Sequence, residues 1–126
     1  MSCNVTLCKI ANDTLGHDIG DMMIREIASV VHRNIAGEML GMRYGGDEFV
    51  LFGGYKDDEE YKVDRLVESI REDFRDVNQS GKYPFILSAS MGVSKWKATD
   101  ITTLDAVIEE ADQRMYEEKR QKKSKA

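Results

Sequence analysis

Met39-Leu40-Gly41-Met42-Arg43-Tyr44-Gly45-Gly46-Asp47-Glu48-Phe49-Val50-Leu51-Phe52 is the stretch whose reading decides the fold. Two short apolar runs, Met39–Arg43 and Phe49–Phe52, flank Tyr44–Glu48. Paired glycines accept the positive φ that a tight turn demands, so the stretch predicts a β-hairpin. Asp47 and Glu48 therefore sit beside its turn. Toward the N terminus, Cys3–Cys8 is rich in β-formers and predicts a strand. Asn12–His17 is polar, carries a glycine and reads as a loop. From Asp18 to about Ile35 the residues Ile19, Met23, Ile27, Val30 and Val31 recur at helical spacing, which predicts an amphipathic helix closed near Gly37.

Toward the C terminus, Asp57 to about Val77 places Tyr61, Leu66, Ile70, Phe74 and Val77 on one helical face, with acids in the first turn. Asn78–Pro84 breaks this helix. Phe85–Ser94 reads as a buried strand with small residues, and Thr99–Thr103 leads into a last helix. Its apolar stripe is Leu104, Val107, Ile108, Ala111 and Met115, with Tyr116 at the margin. The order strand, helix, hairpin, helix, strand, helix predicts an α+β class (an α/β sandwich) with a mostly antiparallel sheet flanked by helices.

The 126 residues, 41% hydrophobic and 33% charged, fit one soluble domain over residues 1–126, with a basic end at 119–126. No apolar run approaches the ~20 residues of a membrane span, and no signal peptide is visible. Cys3 and Cys8 would point to opposite faces of one strand, so they read as reduced thiols of a cytosolic protein. A net charge of −5 argues against a general nucleic-acid binder. A small anionic ligand is still compatible where positive groups gather locally.

Four segments lie in register: KIANDTLGHDIGD (Lys9–Asp21), RYGGDEFVLF (Arg43–Phe52), SASMGVS (Ser88–Ser94) and ADQRMYEEK (Ala111–Lys119). In content, order and spacing they resemble the GGDEF family of diguanylate cyclases, and the resemblance covers essentially the whole chain. It begins late, because family members usually carry a helix and an Asp-x-Leu-Thr-Gly-Leu-x-Asn-Arg segment before the first strand. The resemblance implies a fold related to nucleotidyl cyclase and polymerase palm domains. It also implies condensation of two GTP into cyclic di-GMP with Mg²⁺ or Mn²⁺, in a bacterial second-messenger system. The expected partners are GTP, a second copy of the domain in a transient homodimer, and an N-terminal sensory domain. Neither nucleic acid nor a membrane is expected to contact this cytoplasmic domain.

Roles carry over by position. Asp47 would be a metal ligand, and Glu48 would sit near the metal or assist deprotonation of the attacking hydroxyl. Gly45 and Gly46 would let a nucleotide approach the backbone. Asn12 and Asp21 would read the guanine edge; taken alone, the same residues also suit a loop and a helix start. The backbone amides of Leu7, Cys8 and Lys9, at the expected end of the first strand, match a triphosphate cradle. Lys119 and Lys123, four apart on one helical face, match the family's basic phosphate contacts.

Two departures stand out. The family's first strand carries Asp-x-Asp or Asp-x-Asn, and this chain has Asn4 and Thr6, so Asn4 and the carbonyl of Val5 are left to complete the metal cage. The loss of one negative charge weakens that cage, which raises the alternative of a catalytically weak GTP-binding regulatory module. In addition, Ala36-Gly37-Glu38-Met39 stands where the family has Arg-x-x-Asp, so no feedback inhibition through that primary site is expected.

Overall fold

A computed structural model describes residues 4–13, 20–35, 39–84, 86–97 and 103–124. Four strands, β1 (Asn4–Asn12), β2 (Leu40–Arg43), β3 (Glu48–Tyr55) and β4 (Ala89–Lys97), form an antiparallel sheet in the order β2-β3-β1-β4. Helices α1 (Gly20–Asn34) and α2 (Glu60–Gln79) cover one face, and α3 (Leu104–Ser124) covers the other. The expected class and the antiparallel sheet are both present.

Alternation along β1 sorts the core. Cys8 and Ile10 point toward α1 and α2, where they meet Met23, Ile27, Val30, Phe49, Leu51, Ile70 and Phe74. Leu7 points toward α3 and packs with Val50, Val107 and Ala111. Burial at the centre of the first cluster pushes the Cys8 thiol up to about 12, so it stays protonated and inert. Gly92 lets α3 lie directly on β4, since a Cβ there would collide with the Ala111 carbonyl oxygen and the Met115 amide nitrogen.

β1 is longer than its sequence suggests. The expected loop begins at Asn12, whereas the strand runs unbroken to that residue, paired with β3 on one side and β4 on the other. A strand buried on both faces shows no alternation, and Lys9 interrupts the apolar run that would have revealed it. β4 starts later than expected, and Ile86 is exposed. The Asn78 side chain explains this. Its amide donates to the Leu87 carbonyl at 2.9 Å and accepts from the Leu87 N–H at 2.8 Å, taking the place of a strand partner. Tyr61 is also exposed, and Val63 takes its expected place in the face of α2 that meets the sheet. Leu104 and Tyr116 lie outside the buried stripe of α3. The predicted ends of α1, at Asp18 and Gly37, fall outside the described residues.

Candidate functional site

The β2–β3 hairpin is held at its base by buried Phe49 and Val50 and closed by the Tyr44 and Gly45 N–H groups, which donate to the Glu48 carbonyl at 2.8 and 3.3 Å. The Arg43 guanidinium donates to the carbonyls of Gly45 and Gly46 and stiffens the loop from one side. Neither glycine has a positive φ, which corrects the expectation that the turn needs one. Their value lies in space. A Cβ on Gly46 would meet nothing within 4 Å, so the backbone there is open to an incoming group. Asp47 is exposed at the tip, and its carbonyl accepts from the Asn12 N–H at 2.9 Å, which ties the end of β1 to the loop.

Glu48 lies on the α3 face of the sheet, as does Lys9. The Lys9 side chain is only 7% exposed, with its ammonium 2.7 Å from Asp112 of α3 and 3.4 Å from Glu48. The Tyr44 ring covers it at 4.9 Å. Burial alone pulls this ammonium toward neutrality. The hydrogen bond to Asp112 and the charges of Glu48 and Asp112 outweigh it, and the pKa ends above the ordinary lysine value. Lys9 thus acts here through its side chain, which the cradle expectation ignored.

Asn12 faces α1, buried, with its amide toward the Met23 sulfur at 3.8 Å. Asp21 is exposed in the first turn of α1. Next to Asn12, the Asp13 carboxylate accepts from the Ser90 hydroxyl at 2.6 Å and lies 3.8 Å from the Lys122 ammonium, which also donates to the Ala89 carbonyl. Lys119 is half-buried on α3. The Lys123 side chain and residues 36–38 lie outside the described residues. Asp112 and Lys122 were missed in the sequence. Asp112 had a signal: it precedes Lys119 by two helical turns and so shares its face.

Two expected groupings are not assembled. Asn4 pairs with Tyr55 and Val5 with Gly54, whereas Glu48 pairs with Ala11. Asn4 therefore stands seven residues along β1 from the partner of Glu48, about 23 Å at ~3.3 Å per residue. Of the expected cage of Asp47, Glu48, Asn4 and Val5, the structure brings together the hairpin half, and the continuous strand carries Asn4 and Val5 toward the far end of the sheet. Likewise, Leu7, Cys8 and Lys9 lie mid-strand between Phe52, Leu51 and Val50 on one side and Ser94, Val93 and Gly92 on the other. Their amides belong to these ladders, so they do not form an exposed cradle.

The profile of the family described as "Diguanylate cyclase, GGDEF domain" matches residues 1–125. The chain belongs to the GGDEF diguanylate cyclase family. The GGDEF domain is 34% identical over 125 residues to the response regulator PleD of Caulobacter vibrioides, covering 92% of this chain and 26% of PleD. It is 31% identical over 126 residues to the diguanylate cyclase DgcZ of Escherichia coli, covering 94% of this chain and 39% of DgcZ. It therefore spans well under half the length of these relatives. Among solved structures, the GGDEF domain of DgcB from Caulobacter crescentus, in complex with c-di-GMP, matches with a TM-score of 0.75 at 26% identity. That match covers 94% of this chain and 73% of the other.

Family members generally use a divalent metal. Among the described residues of this GGDEF domain, no three acidic, histidine or cysteine side chains gather to hold one. Asp47 and Glu48 are neighbours at the hairpin tip and carry the hard oxygen donors that a divalent metal takes, alongside substrate phosphates and water. Asn4 and Val5 stand at the other end of β1, opposite Tyr55 and Gly54. No described helix is long and apolar enough to cross a membrane.

Proposed function

We propose that this GGDEF domain condenses two GTP molecules into cyclic di-GMP at the β2–β3 hairpin. The observation that carries the reading is the tip itself: Asp47 and Glu48 beside a backbone left open at Gly46. Each ribose 3′-hydroxyl attacks the α-phosphate of the other nucleotide. Two P–O bonds form, two pyrophosphates leave, and the hydroxyl protons go to base or solvent. Mg²⁺ or Mn²⁺, when bound, offsets negative charge developing on the phosphates.

This chain's residues hold and orient. Asp47 and Glu48 would hold the cation, and Glu48 would accept the hydroxyl proton. Gly45 and Gly46 admit the nucleotide, and Asn12 and Asp21 take the guanine edge. Lys119 and Lys123 take the β- and γ-phosphates, aided by Lys122, which reaches the end of β4 beside Asn12. Two copies must face each other, because each site supplies one nucleotide. The domain works in the bacterial cytoplasm under the control of an N-terminal sensory domain.

The placement of Asn4 favours a second reading, a GTP-binding regulatory module without turnover, because the hairpin then has two carboxylates and no third. Incubation with GTP and Mn²⁺, followed by chromatography, separates the two. Cyclic di-GMP formed by the wild type and reduced by about 100-fold or more in Glu48→Gln supports the enzyme. GTP binding without product supports the module, and no guanine-nucleotide binding overturns both.

A further inference from the structure

We propose that Asp112 is a positioning residue for Glu48: by taking the Lys9 ammonium as its first partner, it leaves the Glu48 carboxylate available to a divalent cation. The inference rests on the reading of Glu48 as a metal-holding residue. Its basis is geometric. Lys9 projects from the middle of β1, and β1 is fixed by ladders on both sides, so the ammonium cannot move away from the hairpin. It is enclosed by Asp112, Glu48 and the Tyr44 ring, with its side chain 7% exposed.

A buried ammonium must be paired, because its desolvation is otherwise uncompensated. Two carboxylates compete for it. Asp112 at 2.7 Å makes a short charge-assisted hydrogen bond, and Glu48 at 3.4 Å a longer and weaker contact. Without the Asp112 charge, the ammonium would close on Glu48 and compete directly with a cation. Asp112 therefore sets, from α3, how much of Glu48 a metal can use. The geometry also separates Asp112 from a merely structural acid, since at 48% side-chain exposure it has no burial of its own to support.

The test uses the whole chain, first without metal or nucleotide. In ¹⁵N-lysine-labelled protein, the Lys9 ammonium resonance, identified by its absence in Lys9→Met, is expected to persist in Glu48→Gln and to shift or broaden in Asp112→Asn. The reverse pattern overturns the proposal. Mn²⁺ affinity is then read by electron paramagnetic resonance. Asp112→Asn is expected to weaken binding about tenfold. In the Lys9→Met background the same substitution is expected to have no effect. Unchanged affinity in Asp112→Asn, or equal weakening in both backgrounds, overturns the route through Lys9. If wild type and Glu48→Gln bind Mn²⁺ equally, the metal reading of the hairpin falls. The ammonium spectra then still decide by themselves whether Asp112 holds Lys9.

Discussion

The two ends of β1 carry similar inventories and opposite arrangements. At the hairpin end a cation is buried and acids surround it: Lys9 lies inside, with Glu48 and Asp112 half-exposed. At the far end a neutral amide is buried, with Asn4 donating to Asp57 at 2.7 Å while its own oxygen finds no partner among the described residues. Lys95, a cation at that end, is less deeply buried than Lys9 and bridges Glu60 and Asp64 at 3.2 and 3.1 Å. Acids and lysines are present at both ends. Only the hairpin end joins a fixed buried charge to an open backbone, and that combination can orient an anionic nucleotide and its counter-ion.

The firmest way to break this contrast is to lift α3 from the sheet. Gly92→Ala would force α3 backbone off β4 and withdraw Asp112 from Lys9, so urea denaturation should show a loss of about 4 kcal/mol or more. Near-wild-type stability would mean that α3 lies less tightly on β4. Asn4→Asp comes next. It replaces the donor to Asp57 with a second carboxylate in a buried position, which should cost about 3 kcal/mol. It should leave Mn²⁺ affinity unchanged. A gain in Mn²⁺ affinity would show that the two ends of β1 meet after all.

The smallest effect is a titration. Burial lowers the pKa of Lys95, but hydrogen bonds to Asp64 and Glu60 more than compensate, so like Lys9 it ends above the ordinary lysine value. A raised folded-state pKa stabilises fully below the unfolded value, roughly pH 10.4, and this stabilisation is lost as pH climbs through the folded value. Stability measured from pH 9 to 11.5 should therefore fall at the alkaline end. Lys9→Met should flatten that fall more than Lys95→Met, because Lys9 is the more deeply buried of the two. Equal flattening would erase the electrostatic difference between the ends.

Local pattern carried most of the fold. The stripes of α1 and α3 and the hairpin about Gly45-Gly46 follow from spacing within one segment, which is what periodicity reports. What escaped depended on distant partners. Nothing near Asn12 shows that Lys9–Asn12 is strand, because that is decided by β3 and β4. The site divided in the same way. Asp47 and Glu48 were legible as a motif, and the structure keeps them together at the tip. The separation of Asn4 from them is a matter of strand register, and register is a property of the pair. Asp112 lies within the Ala111–Lys119 segment, but its role exists only when α3 crosses Lys9.

The central place of β1 also governs how the chain reaches this structure. The β2–β3 hairpin can close early around its short loop. β1, made first, must wait for partners near the other end of the chain, with Asn4 opposite Lys97 and Asn12 opposite Ala89. Long loops close slowly, so sheet completion is the expected rate-limiting event. On the ribosome, Leu7, Cys8 and Ile10 would emerge well before β4 exists to cover their strand, leaving an unpaired apolar edge until β4 follows.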